Sequence, residues 1–314
     1  MVPSRSQAPG HQRLVIISAI IVAVLGSAMA TPDIMDQFWI ALVPIALFGI
    51  AHGGIDPWLM RKLASVRSRI MLLWLGAYAA LAGAFIGIVV WQPVFALALF
   101  LLLSIWHFGR SDAPFQGFQR SSSAVWLSGS IPIIGPMFGH PDQTGQLFAW
   151  LLDADVQLVA GTVALVAPAL LLAWALGLGL LWRRDQSREN AAGFIELLAL
   201  AGAMILLPPI LAFTFYFCAV HSFRHFLEVR SSSRAPSGKP RGWSFLLRKA
   251  APATLLAAAM GVVAWWFLGS DRDLPEMTAD AVRVLFWGLA ALTVPHVLVV
   301  ERWWAPEQTT TPRP

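Results

Sequence analysis

Long apolar runs constrain the fold of this chain more than any other feature. From residue 14 to residue 300 the sequence is built of apolar stretches of about 17–25 residues, the length that crosses a bilayer as an α-helix. An ordinary soluble domain has roughly 25% charged residues. Here 57% of the 314 residues are hydrophobic and only 12% are charged. The sequence therefore predicts an all-α, polytopic transmembrane helix bundle.

The boundaries of the helices follow from residues that interrupt the apolar runs. Trp91-Gln92-Pro93 and Leu207-Pro208-Pro209 divide runs that would otherwise be too long for one span. The stretch at 124–138 is short and contains "PIIGP", so nine spans is the alternative to ten. The predicted spans are 14–30, 37–56, 70–90, 93–109, 124–138, 157–182, 191–207, 210–228, 246–269 and 284–300. A single transmembrane domain, 14–302, is expected between an N-terminal tail, 1–13, and a polar C-terminal tail, 303–314.

The charged residues alternate between the two ends of the predicted helices. Basic clusters such as Arg61/Lys62 and Arg183/Arg184 fall on one side, and acidic residues such as Asp33 fall on the other. The positive-inside rule places the basic side, and with it both termini, in the cytoplasm. We expect a multi-pass protein of the cell (plasma or inner) membrane, surrounded by lipids. The net charge of +5 is explained by this topology, so nucleic acid is not an expected partner.

Histidines occupy one level of the predicted bundle. Five of the seven lie within predicted helices: His52, His107, His221, His225 and His296. Each precedes the basic cytoplasmic end of its helix by a few residues, which places all five in a layer roughly 10 Å thick at about 1.5 Å per residue. Ionisable side chains inside a membrane are costly and typically functional. His11, in the N-terminal tail, and His140, in an outer loop, are expected to be surface residues.

The spacing within this layer favours a metal site. His221 and His225 are four residues apart, so both can point at one atom from one face of a helix. Helix bundles commonly bind metals through inward-pointing side chains of several helices. Imidazole nitrogen suits zinc, copper, iron and nickel. The single cysteine, Cys218, excludes a thiolate cluster and an intramolecular disulfide.

Polar neighbours provide possible supporting groups for such a site. Asp56 follows His52 by one helical turn and either accepts the second ring N–H of a metal-binding histidine or begins a turn at the membrane surface. Glu228 follows His225 by three positions and either supports the site or pairs with an arginine, with a surface position favoured. His296 is a fifth ligand, a supporting donor or a packed histidine.

Aromatic residues near the histidine layer have two interpretations. They either line a tunnel for a long apolar substrate or pack the helices together. The candidates for substrate lining are Trp106, Phe108, Phe215, Tyr216 and Phe223.

Four short segments, in order, carry a family resemblance: "AHGGID", "SIWHFG", "HSFRH" and "TVPHVLVVE". Together they resemble the Brp/Blh family of bacterial and archaeal β-carotene 15,15′-dioxygenases, over roughly residues 40–302. The resemblance implies an all-helical membrane enzyme with histidine-bound ferrous iron, Fe(2+), which makes retinal for microbial rhodopsins. Matched by motif, the iron ligands are His52, His107, His221 and His225. The departure is Gly-Gly-Ile-Asp-Pro after the first histidine, where relatives often have bulkier residues, and it affects substrate fit more than the metal.

The implied reaction needs little from the protein beyond the metal site. O2 adds to the central 15,15′ double bond of β-carotene, and the adduct breaks into two molecules of all-trans-retinal. The carotenoid would enter laterally from the bilayer, and no separate acid or base is required. The expected partners are therefore the carotenoid, O2, membrane lipids and a microbial rhodopsin that receives retinal.

Other classes of histidine-rich membrane protein remain as alternatives. A haem-binding electron carrier also uses histidines on facing helices, but as axial pairs. A di-iron desaturase usually has more histidines, including adjacent pairs that this chain lacks. A proton-coupled transporter is the third alternative, although its relays tend to cross the membrane instead of lying in one layer.

Overall fold

Helices joined by short connections make up this protein. The computed structural model describes residues 8–63, 68–118, 122–184, 188–233, 240–269 and 273–308, and no β-strand occurs within these ranges. The helices are α1 Ala8–Ala28, α2 Ile34–Pro44, α3 Ile50–Gly54, α4 Asp56–Leu63, α5 Ser68–Trp91, α6 Pro93–Asp112, α7 Ser122–Gly139, α8 Pro141–Leu152, α9 Val156–Arg184, α10 Arg188–Leu206, α11 Pro209–Thr214, α12 Phe223–Ser232, α13 Trp243–Gly269 and α14 Leu274–Gln308, with π-helical segments π1 Ile45–Gly49 and π2 Phe215–Ser222. The predicted all-α class is confirmed.

Eight helical segments among the described residues are long and apolar enough to cross a membrane. They are Gly10–Ala28, Ile34–Leu63, Ile70–Trp91, Pro93–Asp112, Val156–Arg184, Pro209–Ser232, Trp243–Leu268 and Glu276–Trp304. The other two predicted spans are helical but less suited to crossing. The apolar part of α10 is short, Asn190–Leu206, and α7 contains Pro132 and Pro136. The polytopic bundle is confirmed, and the cytoplasmic placement of the termini stays a prediction.

Several helix boundaries differ from the sequence-based ones. Helix α1 begins at Ala8 and α14 continues to Gln308, so parts of both predicted tails are helical, and residues 1–7 and 309–314 lie outside the described ranges. Helix α8 was not predicted, because its acidic residues indicated a loop. Two residues explain why a helix begins there. Pro141 lies in the first turn, where the backbone N–H needs no partner, and Asp142 lies near the positive end of the helix dipole.

Two compact units can be distinguished, and the prediction of a single domain stays a prediction. The first unit contains Ala46–Phe100 and Phe226–Pro314. Within it, α13 packs on α3, α4 and α14, and α14 also packs on α4 and α5. Its core is a cluster of buried side chains that includes Ile55, Leu59, Met60, Leu246 and Val299.

The second unit contains Val2–Ile45 and Leu101–His225. Within it, α1 packs on α10, α10 on α7, α7 and α8 on α9, and α11 on α2. Glycine allows α6 and α7 to approach each other closely, because a Cβ added at Gly109 would overlap the carbonyl oxygen of Val125. The "SIWHFG" motif thus packs by backbone contact on α7.

Burial distinguishes a helix that faces lipid from the helical segment that carries His221 and His225. None of the most apolar window of Trp243–Leu268 is buried, whereas 72% of the window in Pro209–Ser232 is buried. Large side chains such as Leu73, Leu255 and Phe267 are exposed. Soluble monomers rarely expose large apolar patches. The many exposed apolar side chains on these helices are therefore typical of a membrane protein.

Candidate functional site

His52 is positioned at the end of a distorted helix. The π-helical segment π1 immediately precedes α3, which carries His52. The Nδ1 atom of His52 lies 2.5 Å from the carbonyl oxygen of Gly49. A carbonyl oxygen only accepts hydrogen bonds, so Nδ1 donates and Nε2 of the neutral ring holds the lone pair. Wide turns of this kind frequently occur at functional sites.

In the same unit, His296 is held by a buried carboxylate. Its Nδ1 lies 3.0 Å and 2.9 Å from the two carboxylate oxygens of Asp56. The hydroxyl of Tyr78 donates a hydrogen bond of 2.9 Å to Asp56 Oδ2. Asp56 is 1% exposed, so it is not a surface turn residue, and its histidine partner is His296. The rings of His52 and His296 lie edge to face with centroids 4.8 Å apart.

The second unit contains its own neighbouring pair of histidines. The rings of His107, on α6, and His221, on π2, have centroids 5.0 Å apart at an interplanar angle of 75°. Both side chains are buried. The ring of Phe108 also packs against His221, with centroids 4.6 Å apart.

Asp112 stands beside this pair. The predicted span ended at residue 109, so Asp112 was expected in the loop that follows, but it is the last residue of α6 and is 0% exposed. The hydroxyl of Tyr216 donates a hydrogen bond of 2.5 Å to Asp112 Oδ2. Nδ1 of His221 lies 3.6 Å from Asp112 Oδ1. Asp112 therefore lies near His221, a candidate ligand with which it was not paired in the sequence analysis.

A buried ion pair continues from Asp112 into the unit. Arg224 Nη2 donates to Glu196 Oε1 over 2.6 Å, and Arg224 Nη1 lies 3.8 Å from Asp112 Oδ2. Gln116 donates to the same Glu196 oxygen over 3.0 Å, and the Ser128 hydroxyl donates to Gln116 over 2.6 Å. The guanidinium lies between two carboxylates, which is how a buried positive charge is tolerated.

Sequence reasoning missed Glu196 entirely. It is the one acidic residue within the apolar part of α10, "AAGFIELLALAGAMIL". A lone carboxylate inside a predicted span indicates that it has a functional or structural partner. The position of Glu196 within the predicted span 191–207 could therefore have identified it from the sequence.

The exposure of four further residues, three histidines and Glu228, can be compared with the sequence-based expectations. His225 is buried on α12. Glu228 is 4% exposed, so the expected surface position is wrong. His11 is also buried, with its ring 5.0 Å from that of Phe223, because α1 extends into the predicted tail. His140 is partly exposed, near the Leu206 carbonyl oxygen at 3.4 Å.

The aromatic candidates for substrate lining occupy different environments. Phe108 and Tyr216 are buried beside His221. Trp106 is half-buried beneath the Arg110 guanidinium, 5.7 Å from its ring, and Phe215 is half-buried on π2. Phe223 is 40% exposed. Their role in substrate binding stays a prediction.

The donor chemistry of both histidine pairs fits a transition metal. Imidazole nitrogens suit iron, zinc, copper and nickel, and metal-binding histidines usually donate their second ring N–H to a carboxylate or a carbonyl oxygen. His52 and His296 make such contacts in the first unit, and His221 lies near a carboxylate in the second.

Fold and site together define a helical membrane protein with buried histidine–carboxylate clusters. Comparison with known proteins gives the family: the model for β-carotene 15,15′-dioxygenase matches residues 43–304, and the chain belongs to this family. The resemblance drawn from the four motifs is confirmed, and with it the enzyme class, a carotenoid-cleaving oxygenase.

Two relatives extend over most of the chain. A β-carotene 15,15′-dioxygenase from the uncultured marine bacterium 66A03 is 28% identical over 266 residues, 84% of this chain and 92% of that protein. A probable β-carotene 15,15′-dioxygenase Blh from Halobacterium salinarum is 27% identical over 286 residues, 81% of this chain and 80% of that protein. No solved structure matches the chain significantly.

Proposed function

We propose that this protein cleaves β-carotene at its central 15,15′ double bond with O2 to give two molecules of all-trans-retinal. The observation that carries the proposal is the family match over residues 43–304, a range that contains all four histidine motifs. We place the protein in the plasma membrane, where the substrate and lipids surround it, and propose a microbial rhodopsin as recipient of the retinal.

The proposed cofactor is a non-haem ferrous iron with His52, His107, His221 and His225 as ligands. A ferrous ion supplies the electron chemistry by which O2, with its unpaired electrons, reacts with a closed-shell polyene. All four histidines are buried, as ligands of an intramembrane metal must be. The donor set of neutral imidazoles supports iron over magnesium or calcium, which prefer oxygen ligands.

The surrounding residues would hold the imidazoles in place. The Gly49 carbonyl oxygen fixes the ring of His52 through Nδ1, and Asp112 lies next to Nδ1 of His221. For His52 this contact leaves Nε2 of the neutral ring with the lone pair that a metal needs. Arg224 lies 2.6 Å from Glu196 and 3.8 Å from Asp112, so its positive charge offsets part of the negative charge of these two buried carboxylates.

Binding of an apolar substrate depends more on the shape of its binding site than on charged residues. A C40 polyene dissolves only in the bilayer, so we propose lateral entry between lipid-facing helices. Phe108 and Tyr216 flank His221 and would select which double bond lies over the metal. No charged residue is assigned to substrate binding.

The test is expression in a bacterium that accumulates β-carotene, followed by chromatography of the pigments. The parent chain should produce retinal and bleach the cells. His221→Ala should produce none, whereas His140→Ala, which changes a histidine at the partly exposed start of α8, should match the parent. Cells that stay orange despite verified membrane expression of the parent would refute β-carotene as substrate, and long apocarotenals would refute central cleavage.

A further inference from the structure

The two tyrosines of the chain are used in the same way. Tyr78 and Tyr216 are its complete tyrosine content, two in 314 residues. Tyr78 donates to Asp56, and Tyr216 donates to Asp112. Each aspartate in turn lies beside Nδ1 of a histidine, His296 in the first unit and His221 in the second. Each unit thus contains one Tyr–Asp–His triad.

The resemblance extends to a second histidine beside each triad. The ring of His296 lies 4.8 Å from that of His52 at 86°, and the ring of His221 lies 5.0 Å from that of His107 at 75°. In both units, therefore, a histidine beside a carboxylate meets edge to face a histidine of another motif, and only His296 is within hydrogen-bond distance of its carboxylate. His296 occupies in the first unit the place that the ligand candidate His221 occupies in the second.

The triad determines which nitrogen of His296 is available. An ionised carboxylate only accepts hydrogen bonds, so the contacts of 2.9 Å and 3.0 Å to Asp56 require Nδ1 of His296 to donate. Nε2 of the neutral ring then carries the lone pair. The Tyr78 hydroxyl fixes the carboxylate itself, so the ring orientation is set by two successive hydrogen bonds. Metal-binding histidines are oriented in this way.

Simple packing does not explain this arrangement. A histidine that only fills space needs no carboxylate, and burying Asp56 within an apolar helix bundle carries a large desolvation cost. The geometry at His296 is in fact closer than at His221, where the corresponding distance to Asp112 is 3.6 Å. A metal-binding role accounts for both the buried aspartate and the orientation of the ring.

We infer that His296 is a metal ligand through Nε2, and that Asp56 and Tyr78 are positioning residues that fix its tautomer. This inference rests on the proposed iron site and adds a ligand to the four carried by the family motifs. It also explains the "TVPHVLVVE" segment, which supplies His296.

Metal binding by the purified full-length protein tests the inference without any turnover. Fe(2+) content is measured after anaerobic reconstitution, and Co(2+) is titrated while its ligand-field absorption bands are recorded. His296→Gly should bind Fe(2+) at least about 10-fold more weakly than the parent. Its Co(2+) bands should shift in position, and added imidazole should restore both affinity and spectrum by entering the vacated space.

Matched variants separate a ligand from a structural histidine. His140→Gly removes an imidazole from the partly exposed start of α8, outside both histidine pairs, and should keep the parent's iron content and Co(2+) spectrum. His296→Gln keeps more of the side-chain volume and should reproduce the metal loss if the glycine variant does not fold. Asp56→Asn and Tyr78→Phe should weaken Fe(2+) binding, the former by about 10–100-fold, with smaller changes in band position.

The outcomes distinguish this inference from the proposed function. A parent that binds iron, together with His296→Gly and His296→Gln variants of unchanged affinity and spectrum, would overturn the role of His296 and leave the proposed iron site intact. A folded parent that binds no iron after reconstitution would refute the iron site and this inference together. Metal loss from a folded His296→Gly variant that added imidazole does not restore would mean that His296 acts structurally. If only His296→Gln folds, weaker Co(2+) binding with unshifted bands would mean the same.

Discussion

Arg224 and Glu196 are joined by a contact of 2.6 Å, and both side chains are 0% exposed. The two residues come from different helices, α12 and α10, 28 positions apart in the chain. Arg224 also approaches Asp112, which lies beside His221. Through this pair, α10 contacts the same arginine that approaches Asp112, the carboxylate beside the candidate ligand His221.

Removing one partner of this pair should be strongly destabilising. Glu196→Gln or Arg224→Met leaves a buried charge without its main partner, which typically costs about 3–5 kcal/mol. We expect a corresponding loss of thermal stability in detergent and a lower yield of folded protein. The measurement is thermal unfolding monitored by tryptophan fluorescence.

A double variant and a surface variant control this prediction. Arg224→Met combined with Glu196→Gln should be less destabilised than the sum of the two single changes, because neither charge of the pair then remains. Arg248→Met removes an exposed arginine from α13 and should change stability by less than about 0.5 kcal/mol. Single variants as stable as Arg248→Met would contradict the assigned burial of the pair.

Asp112→Asn should lower retinal formation more than it lowers stability. The amide keeps the size of the side chain and can still accept from Tyr216, but it can also present N–H groups to His221 and permit the wrong tautomer. Changes of this kind beside a metal ligand typically cost about 10–100-fold in metal affinity or activity.

The corresponding measurement compares retinal yield at equal membrane expression. Asp36→Asn, at an exposed position in the first turn of α2, is the matched control and should match the parent. Equal retinal formation by Asp112→Asn and the parent would show that Asp112 only balances the charge of Arg224.

The helical class was predictable because apolar run length is a direct consequence of bilayer thickness. The partners of the histidines were harder to predict. Asp56 was identified from its spacing to His52, four residues away, yet its contact is His296, 240 positions further along the chain. Spacing along one helix defines a shared face, but it does not specify which distant helix packs there.

Two physical causes explain the residues whose positions were predicted wrongly: packing against distant helices and local changes of helix type. Asp112 ends its helix instead of beginning a loop, and Glu228 is buried where a surface position was favoured. Two π-helical segments, π1 and π2, precede or contain His52 and His221 and alter the turn count that an α-helical interpretation assumes. Long-range packing and local changes of helix type are not encoded in apolar periodicity.

Two adjacent glycines of the "AHGGID" motif should differ in their tolerance of alanine. A Cβ added at Gly54 would overlap the Thr254 hydroxyl and lie 2.8 Å from the Ala250 carbonyl oxygen, so α3 could not remain so close to α13. A Cβ at Gly53 would meet nothing closer than His296 Nδ1 at 3.9 Å, an ordinary van der Waals distance. Gly54→Ala should therefore destabilise the protein by about 1–3 kcal/mol.

Gly53→Ala provides the matched control, since it makes the same chemical change one residue away. Alanine is favoured over glycine within helices by roughly 0.5–1 kcal/mol, so this variant should unfold at or slightly above the parent's temperature. Gly54→Ala should also reduce Fe(2+) content, because displacement of α3 moves His52. Equal unfolding temperatures for the two variants would contradict the close approach of α3 and α13. A lower unfolding temperature and a lower Fe(2+) content, both confined to Gly54→Ala, would support this close approach as the contact that positions His52.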